Sequence, residues 1–256
     1  MIDSRALIDP SAKLANGVEV GPWSLIGPDV EIGEGTVIGP HVVVKGPTKI
    51  GKNNRIFQFA SVGEDCQDKK YAGEPTQLVI GDNNVIREGV TIHRGTIQDS
   101  GITTVGSDNL FMAYAHVAHD CVVGDHVIMA NNTAIAGHVH VGDWTILGGF
   151  TAVHQFCRIG AHVMCGTSTV VLKDIPDYIM ANGNTAKPHG INVEGLKRRG
   201  FTSEAIMNLK RAYKTIYRKK LTTIEALAEL RILAQDCPEV TSLIQSIESS
   251  NRGIIR

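Results

Sequence analysis

Residues 135–160 read IAGHVHVGDWTILGGFTAVHQFCRIG, and an aliphatic residue recurs in this stretch at every sixth position. The same period runs without a slip over residues 8–62, continues over 80–92, and resumes after one phase shift over 105–171. Glycine often follows the aliphatic residue, as it does after Val20. We expect these glycines to give the chain the freedom to turn once in every hexad.

A six-residue period matches neither the 3.6-residue turn of an α-helix nor the two-residue alternation of a long strand. It is typical of short strands separated by corners, and three such strands close a triangular coil of about eighteen residues. Coils stacked at the ~4.8 Å spacing of paired strands would enclose the periodic side chains in a dry prism. The sequence therefore predicts a parallel β-helix of hexapeptide repeats over residues 1–190.

Two interruptions of the period predict protruding loops. Within residues 63–79 the in-phase positions are occupied by the charged residues Asp68 and Glu74. A second break, near residues 94–104, places Gln98 in phase. Loops that protrude from a rigid scaffold often carry binding groups, so both segments are candidates for function.

The hexad period stops after Val171, and the sequence changes character. Residues 176–190 are rich in proline, glycine and asparagine and are interpreted as a linker. The apolar spacing then becomes helical, and Thr222 and Glu225 have the spacing of a capping box. We expect a C-terminal α-helical domain over residues 191–256.

The composition limits the class of protein. The 256 residues are 43% hydrophobic but only 5% aromatic, which excludes most aromatic-packed β-sandwiches. The formal net charge of −1 gives no reason to expect a nucleic acid or a membrane surface as a partner. No apolar run approaches the ~18 residues of a membrane span, and the first residues lack the basic and apolar regions of a signal peptide. We therefore expect a cytoplasmic protein without membrane insertion.

The five cysteines include no C-x-x-C pair. This argues against a disulfide framework and against a thiolate zinc site, and it favours reduced thiols.

The coil geometry brings histidines together. Residues one coil apart should lie one above another, so His138 would stack on Asp120, and Gly137 and Gln155 would stack on His119. An imidazole, a carboxylate, a second imidazole and a backbone N–H on one strip would form a general-base site. Two alternatives remain open at this stage. The histidines could be ordinary surface residues, or they could bind zinc at a subunit interface, as in the hexapeptide-repeat carbonic anhydrases.

A basic segment lies in the predicted helical domain. Between Gly195 and Lys220 the lysines and arginines are accompanied by one acidic residue, Glu204. Such a segment would attract an acidic protein or phosphates. A nucleic acid is less favoured, because the segment lacks an aromatic stacking platform.

Five motifs resemble the UDP-N-acetylglucosamine O-acyltransferase family, which opens lipid A biosynthesis, and the resemblance runs nearly from end to end of the chain. The motifs are residues 67–76 (QDKKYAGEPT), 91–96 (TIHRGT), 118–121 (AHDC), 153–156 (VHQF) and 194–201 (EGLKRRGF). The resemblance implies a left-handed β-helix and a cytoplasmic homotrimer. It implies transfer of an (R)-3-hydroxyacyl chain from acyl carrier protein to the 3-hydroxyl of UDP-N-acetylglucosamine, without a metal or cofactor.

The resemblance also implies roles for individual residues. His119 would be the general base, Asp120 its orienting partner, and the backbone N–H of Gly137 a donor to the developing oxyanion. This agrees with the chemistry expected from the stacked coils, because an alcohol needs a base when it attacks a thioester.

The remaining residues implied by the resemblance fall into four groups. Those around the sugar would be Gln67, Asp68, His116, His138 and Gln155. Those near the nucleotide would be Asn192, Glu194, Arg198 and Arg199. The acyl groove would pass Met164 and Thr167, and the acidic carrier protein would dock on Lys210, Arg211 and Lys214.

The residue at the Thr167 position can limit acyl-chain length in this family, and its long-chain members have glycine there. We therefore hypothesise an acyl group of about ten to twelve carbons. Alternative functions are transfer to a 3-amino sugar nucleotide, a non-catalytic solenoid used for assembly, and a zinc hydratase.

Overall fold

The hexad period produces very short strands, most of them only two residues long. A computed structural model describes all of residues 1–256 and shows that these strands form three parallel sheets, the walls of a triangular prism. Residues that pair across neighbouring strands are one coil apart in the sequence, as in His116 opposite Ala134 and Ala134 opposite Ala152. The predicted left-handed parallel β-helix with a helical C-terminal part is confirmed.

Successive strands of the chain take the three walls in turn. Sheet I contains β1 (Leu7–Ile8), β4 (Leu25–Ile26), β7 (Val43–Val44), β10 (Ser61–Glu64), β13 (Thr91–His93), β16 (His116–Val117), β19 (Ala134–Ile135), β22 (Ala152–Val153) and β25 (Val170–Val171). Sheet II contains β2 (Lys13–Leu14), β5 (Val30–Ile32), β8 (Thr48–Ile50), β11 (Gln77–Ile80), β14 (Ile102–Val105), β17 (Val122–Val123), β20 (His140–Val141) and β23 (Arg158–Ile159). Sheet III contains β3 (Glu19–Val20), β6 (Val37–Ile38), β9 (Arg55–Ile56), β12 (Val85–Ile86), β15 (Leu110–Phe111), β18 (Ile128–Met129), β21 (Ile146–Leu147), β24 (Met164–Cys165), β26 (Ile179–Asn182) and β27 (Lys187–Ile191).

The periodic side chains fill the prism, and each wall supplies them in turn. Ile135 of sheet I and Leu147 of sheet III have no exposed surface, and Val141 of sheet II is 3% exposed. All five cysteines are buried and unpaired, in agreement with the expectation of reduced thiols. Burial of one aliphatic side chain per hexad supplies the hydrophobic stabilisation that two-residue strands cannot provide alone.

Among the glycines that follow buried hexad residues, only Gly63, with a φ of 78°, has the left-handed conformation, so the expectation that these glycines turn the chain is wrong for the others. The left-handed backbone conformation occurs two residues after such glycines, as at Trp23 and Asp29, where φ is 57° and 55°. The glycine itself is needed for close approach between coils. A Cβ atom on Gly33 would lie 2.6 Å from the carbonyl carbon of Gly51 in the next coil.

Two circuits are longer than the others, and both extend at the same corner. Hydrogen bonds between neighbouring circuits span 18 residues in ordinary coils, but 30 and 25 residues in these two. The connections that contain the extra residues, 65–76 and 94–101, leave sheet I and return at sheet II. They are shorter than the expected loops 63–79 and 94–104, because the flanking strands continue their pairing into those segments.

The segment interpreted as a linker continues the fold instead. Strands β26 and β27 form an antiparallel pair, and β26 pairs with β24, so sheet III extends beyond the last hexad. Here the sequence signal fails because proline and glycine mark a hairpin as readily as a linker.

Four helices complete the chain: α1 (Val193–Arg198), α2 (Ser203–Tyr217), α3 (Thr223–Leu233) and α4 (Pro238–Glu248). Thr202 caps α2, and Thr222 and Glu225 form the capping box of α3 that their spacing predicts. The short helix α1 is not apparent from the sequence period. No helix of the structure is both long and apolar enough to cross a membrane.

Candidate active site

The candidate site lies at the corner between sheets I and II. His119 and Asp120 occupy this corner between β16 and β17, and His138 occupies it one coil later. The two long connections, residues 65–76 and 94–101, leave the prism at the same corner in the two preceding circuits. The repeated topology therefore gathers both loops beside the histidines.

His119 and Asp120 form a hydrogen-bonded pair. The distance between His119 Nδ1 and Asp120 Oδ2 is 2.8 Å, and the Asp120 side chain has no exposed surface. A carboxylate that accepts the Nδ1 proton leaves the lone pair of a neutral imidazole on Nε2. The pair is thus arranged to accept a proton at Nε2 of His119.

Thr96 holds the Asp120 carboxylate from the other side. Its backbone N–H donates to Oδ1 at 2.8 Å, and its hydroxyl donates to Oδ2 at 2.6 Å. Burial by itself raises the pKa of the Asp120 carboxyl, but the hydrogen bonds from His119 and Thr96 outweigh it and leave the pKa below its ordinary value. Asp120 is therefore ionised near neutral pH.

His138 stands beside the pair and has a carboxylate of its own. Its ring is perpendicular to that of His119, with centroids 5.0 Å apart, and its Nδ1 lies 2.7 Å from Asp99 Oδ2. Phe156, one coil later, stacks on the His138 ring at 4.3 Å. The imidazole is thus held by a perpendicular contact, a stacking contact and a hydrogen bond at Nδ1.

Gly137 lies directly against the His119 ring. A Cβ atom at this position would be 2.5 Å from Cε1 and 2.6 Å from Nε2 of His119, so only glycine fits. The amide N–H of Gly137 donates to no acceptor within the chain. It is therefore free to donate to an oxygen in the adjacent groove.

A groove of about 500 Å³ opens beside this cluster. Its lining includes His119, Gly137 and four of the five residues expected around the sugar, namely Gln67, Asp68, His116 and Gln155. The fifth, His138, contacts the His119–Asp120 pair without lining the groove. The structure thus brings the expected base, oxyanion donor and sugar group to one place.

His93, which is not among the site residues expected from the sequence, lines the same groove. Its side chain is buried, and its ring meets that of His116 edge to face at 5.0 Å. Burial, followed by the neighbouring His116, lowers the pKa of His93 to about 4, so this imidazole is neutral at pH 7. A signal was present, because His93 occupies the position after a buried hexad residue, where glycine is usual.

Three of the four residues expected near the nucleotide are side chains of α1 or its C-cap, and they lie away from this groove. Arg199 donates to the backbone carbonyl of Trp144 at 2.8 Å, at the corner between sheets II and III. Glu194 and Arg198 are exposed. In one chain the structure does not bring this group to His119.

Asn192 behaves differently from the other three. Its side chain is buried, accepts from the Gly195 N–H at 3.1 Å and donates to the His162 carbonyl at 2.9 Å. It caps α1 and ties that helix to the prism.

The expected acyl-groove residues lie at the third corner of the prism. Met164 is in β24 of sheet III, and Thr167 is exposed at the turn toward sheet I. Neither residue lines the groove of the same chain. Within one chain the structure does not bring Met164 and Thr167 to His119.

Lys210, Arg211 and Lys214 are exposed on α2. The opposite face of this helix, including Leu209 and Ala212, is buried against the rest of the protein. The three cations thus form an accessible basic surface, separate from the groove.

Comparison with known proteins gives matches along the whole chain. The family model for Udp N-acetylglucosamine O-acyltransferase, domain 2, matches residues 174–255. The bacterial transferase hexapeptide model, of six repeats, matches residues 102–137. An acyl-(acyl-carrier-protein)-UDP-N-acetylglucosamine O-acyltransferase of Pseudomonas putida (strain GB-1) is 64% identical over 255 residues, which cover 100% of this chain and 99% of that protein.

Solved structures agree with this result. LpxA from Acinetobacter baumannii is 52% identical and superposes with a TM-score of 0.98, over 100% of this chain and 99% of that one. The UDP-N-acetylglucosamine O-acyltransferase (LpxA) of Moraxella catarrhalis is 48% identical, with a TM-score of 0.98 and the same coverage. These similarities extend through both the prism and the helices.

Proposed function

Since this chain belongs to the UDP-N-acetylglucosamine O-acyltransferase family, we propose that it transfers an (R)-3-hydroxyacyl chain from acyl carrier protein to the 3-hydroxyl of UDP-N-acetylglucosamine. This is the first step of lipid A biosynthesis, and we place it in the cytoplasm. The observation that carries the proposal is the His119–Asp120 pair, held beside a groove that contains the expected sugar-binding group.

His119 acts as the general base in this proposal. Asp120 holds the proton on Nδ1, so Nε2 takes the proton of the sugar 3-hydroxyl as its oxygen attacks the thioester carbonyl. The hydroxyl oxygen forms the new ester bond as the carbon–sulfur bond breaks, and His119 returns the proton to the carrier's sulfur, which leaves as the thiol. Transfer is direct, without a covalent acyl-enzyme.

Gly137 supplies the oxyanion donor. Its N–H is unused within the chain and lies next to the His119 ring, where the tetrahedral intermediate would form. One such donor contributes roughly 3 kcal/mol to transition-state stabilisation in comparable sites.

We propose a homotrimer because the outward faces of the prism differ. Sheet III presents an apolar column and sheet I presents small or apolar residues, whereas sheet II presents charged and polar residues. The sheet III column contains Leu110, Ile128, Ile146, Met164 and Met180; the sheet I column contains Ala134, Ala152 and Val170; the sheet II column contains Lys13, Glu31, Lys49, His140 and Arg158.

The residues at the edge between the two apolar faces favour a closed ring of subunits. Tyr114 and Phe150 project from this edge and are 67% and 62% exposed in the single chain. Packing sheet III of one chain against sheet I of the next would bury both faces and repeat around a rotation axis.

The trimer would complete the site. His116, Ala134 and Ala152 of sheet I border the groove, so the apolar sheet III of a neighbouring chain would form the opposite wall. That wall contains Met164, with Thr167 at its edge, as the acyl groove requires. The Thr167 side chain would shorten this groove, and we propose a donor of about ten to twelve carbons.

The nucleotide group lies beyond the sugar group. Arg198 and Arg199 supply the planar, bidentate donors that suit a diphosphate, and Glu194 and Asn192 complete the set. These residues reach a substrate held by His119 only across a subunit boundary, in line with the proposed trimer.

The test is mass spectrometry of the product made by the purified protein from UDP-N-acetylglucosamine and a mixture of acyl carrier proteins. We expect one 3-O-acylated sugar nucleotide with a ten- to twelve-carbon chain. A parallel reaction with a 3-amino acceptor separates ester from amide formation. Dominant amide formation would contradict the proposed acceptor, and preference for a fourteen-carbon donor would remove the chain-length proposal.

His119→Ala tests the base. We expect a loss of at least 100-fold in kcat, because general-base catalysis contributes about 10²–10⁴-fold. His189→Ala, which removes an exposed imidazole on β27, is the control and should keep normal activity. Full activity of the His119 variant would exclude this residue as the base.

A further inference from the structure

Three ligand atoms suited to a transition metal face one another at the corner of the prism. They are His119 Nδ1, a carboxylate oxygen of Asp120 and His138 Nε2, and they lie within 4.8 Å of one another. We propose that this cluster binds one Zn²⁺ ion, and that zinc bound there inhibits the enzyme by occupying its catalytic pair.

The separations suit a tetrahedral ion. Asp120 Oδ2 lies 2.8 Å from His119 Nδ1 and 3.9 Å from His138 Nε2. Zinc bonds of ~2.0–2.1 Å in tetrahedral geometry place neighbouring ligands about 3.3 Å apart. Each of these two separations would change by about half an ångström to reach that spacing, the two imidazole nitrogens lie within 4.8 Å of each other, and a water molecule from the groove would supply a fourth ligand.

The surrounding residues orient the ligands as they do in metal proteins. A metal-bound histidine almost always donates its other ring N–H to a carboxylate, a carbonyl or water. Asp99 is placed to accept that N–H from His138 Nδ1 at 2.7 Å, which leaves Nε2 free to bind the ion. Thr96 likewise fixes the Asp120 carboxylate through its backbone N–H and its hydroxyl.

Charge and access favour a divalent ion. Asp99 and Asp120 supply two negative charges, which balance Zn²⁺ without another anion. The side chains of His119 and His138 are 14% and 12% exposed, and His119 lines the groove, so an ion can approach the cluster from there. Two imidazoles select zinc over Mg²⁺ and Ca²⁺, which prefer oxygen ligands.

Zinc binding would remove the base. A neutral imidazole carries one proton, and when zinc takes Nδ1 of His119 that proton resides on Nε2. Nε2 then has no lone pair to accept the proton of the sugar hydroxyl. This inhibition depends on the proposed function, whereas the binding itself does not.

The binding test is a titration of purified, metal-free protein with Zn²⁺ in competition with a chromophoric chelator. We expect one ion per chain in the wild type and none in His138→Gln. Asp99→Ala should bind about 10- to 100-fold more weakly, because it loses only the supporting carboxylate. Asp108→Ala, which removes an exposed aspartate 4.0 Å from His126, is the matched control and should bind normally.

Unchanged zinc affinity in Asp99→Ala would overturn the proposal, and so would unchanged affinity in His138→Gln. Asp99 is exposed, so its replacement keeps the test decisive if the His138 variant does not fold. Circular dichroism verifies the fold of each variant.

The activity test follows acyl transfer as zinc is added. Wild-type activity should fall as the site fills and return with EDTA, and Asp99→Ala should require about 10- to 100-fold more zinc. The two proposals fail separately. A protein that binds zinc at this site but makes no acylated sugar would contradict the proposed function alone, and product formation without zinc binding would contradict the zinc site alone.

Discussion

Gly137 shows how a single missing side chain shapes the candidate site. The His119 ring occupies the space in which a Cβ atom would stand, at 2.5–2.6 Å. The residue is glycine because an imidazole lies against its backbone, and its backbone conformation is not left-handed.

We predict that Gly137→Ala displaces the His119 ring and lowers kcat by about 100-fold, the effect of a misplacement of about 1 Å. Steady-state kinetics with a check of the folded state would measure it. Gly149→Ala is the matched control, because its Cβ would meet only the Asn131 carbonyl oxygen at 3.3 Å. Equal losses in both variants would point to general destabilisation.

His93 makes folding stability depend on pH. Burial lowers its pKa from 6.5 to about 4, so the unfolded chain binds the proton more readily than the folded chain does. The contribution of His93 to stability is present above pH 6.5 and is lost as the pH falls toward 4.

The free energy of unfolding of the wild type should fall between pH 6.5 and pH 4. We predict that His93→Gln reduces this fall by up to about 3 kcal/mol. Urea unfolding at a series of pH values measures it. The half-buried His162, whose pKa burial also lowers to about 4, will leave part of the dependence in place. His189→Gln, on the surface, should keep the wild-type profile, and an identical profile for His93→Gln would contradict this assignment.

At the scale of single residues, the sequence predicts which groups stack, because residues one coil apart in the sequence become neighbours in space. His119, Asp120 and Gly137 come together as the hexad period requires. Thr96 and Asp99 could not be placed in this way, because their loop adds residues that break the period. Their contacts depend on how the loop folds back over the corner.

The two faces of helix α2 differ, since one is packed and the other is charged. One face packs against the rest of the protein, and the other presents Lys210, Arg211 and Lys214 to solvent. An exposed cationic face accelerates association with an acidic protein and is sensitive to salt.

We predict that changing all three cations to glutamate raises the KM for acyl carrier protein at least tenfold and leaves binding of the UDP-sugar nearly unchanged. Kinetics at low and high salt would measure this change. The difference in KM for acyl carrier protein between the wild type and the variant should shrink as the salt concentration rises. Replacing the exposed Lys49 of sheet II with glutamate controls for charge alone. Equal loss for both substrates would show that this surface serves another purpose.

The elements themselves were predictable to different degrees. The short strands follow from the buried residue in each hexad, and the α3 capping box follows from Thr222 and Glu225. The β26–β27 pair could not be predicted from the sequence, because it depends on pairing with β24 rather than on a local period. Close approach of the coils at Gly33 likewise depends on a neighbour in space.

In the C-terminal half of the prism, sheet III presents an apolar column and sheet I presents small or apolar residues, and the proposed trimer buries these two faces. Ile146 lies at the centre of the sheet III column, between Ile128 and Met164. A charge placed there would be desolvated on assembly without a partner.

We predict that Ile146→Glu yields monomers and abolishes activity, because each groove would lose its second wall. Light scattering coupled to size-exclusion chromatography measures the mass. Val122→Glu on sheet II is the matched control, since that apolar side chain is 40% exposed on the polar wall. A trimeric Ile146→Glu variant would place the interface elsewhere.

The ordinary eighteen-residue circuit also limits how such a chain can change in length. Loss of one residue within a coil would rotate every later side chain by one place, exposing the apolar interior and separating His119 from His138. Additions at a corner leave the stacking intact, and the 30- and 25-residue circuits are of this kind. Growth of the solenoid is thus confined to whole turns or to corner insertions. Here the first insertion supplies Gln67 and Asp68 to the groove, and the second supplies Thr96 and Asp99 to the Asp120 and His138 side chains.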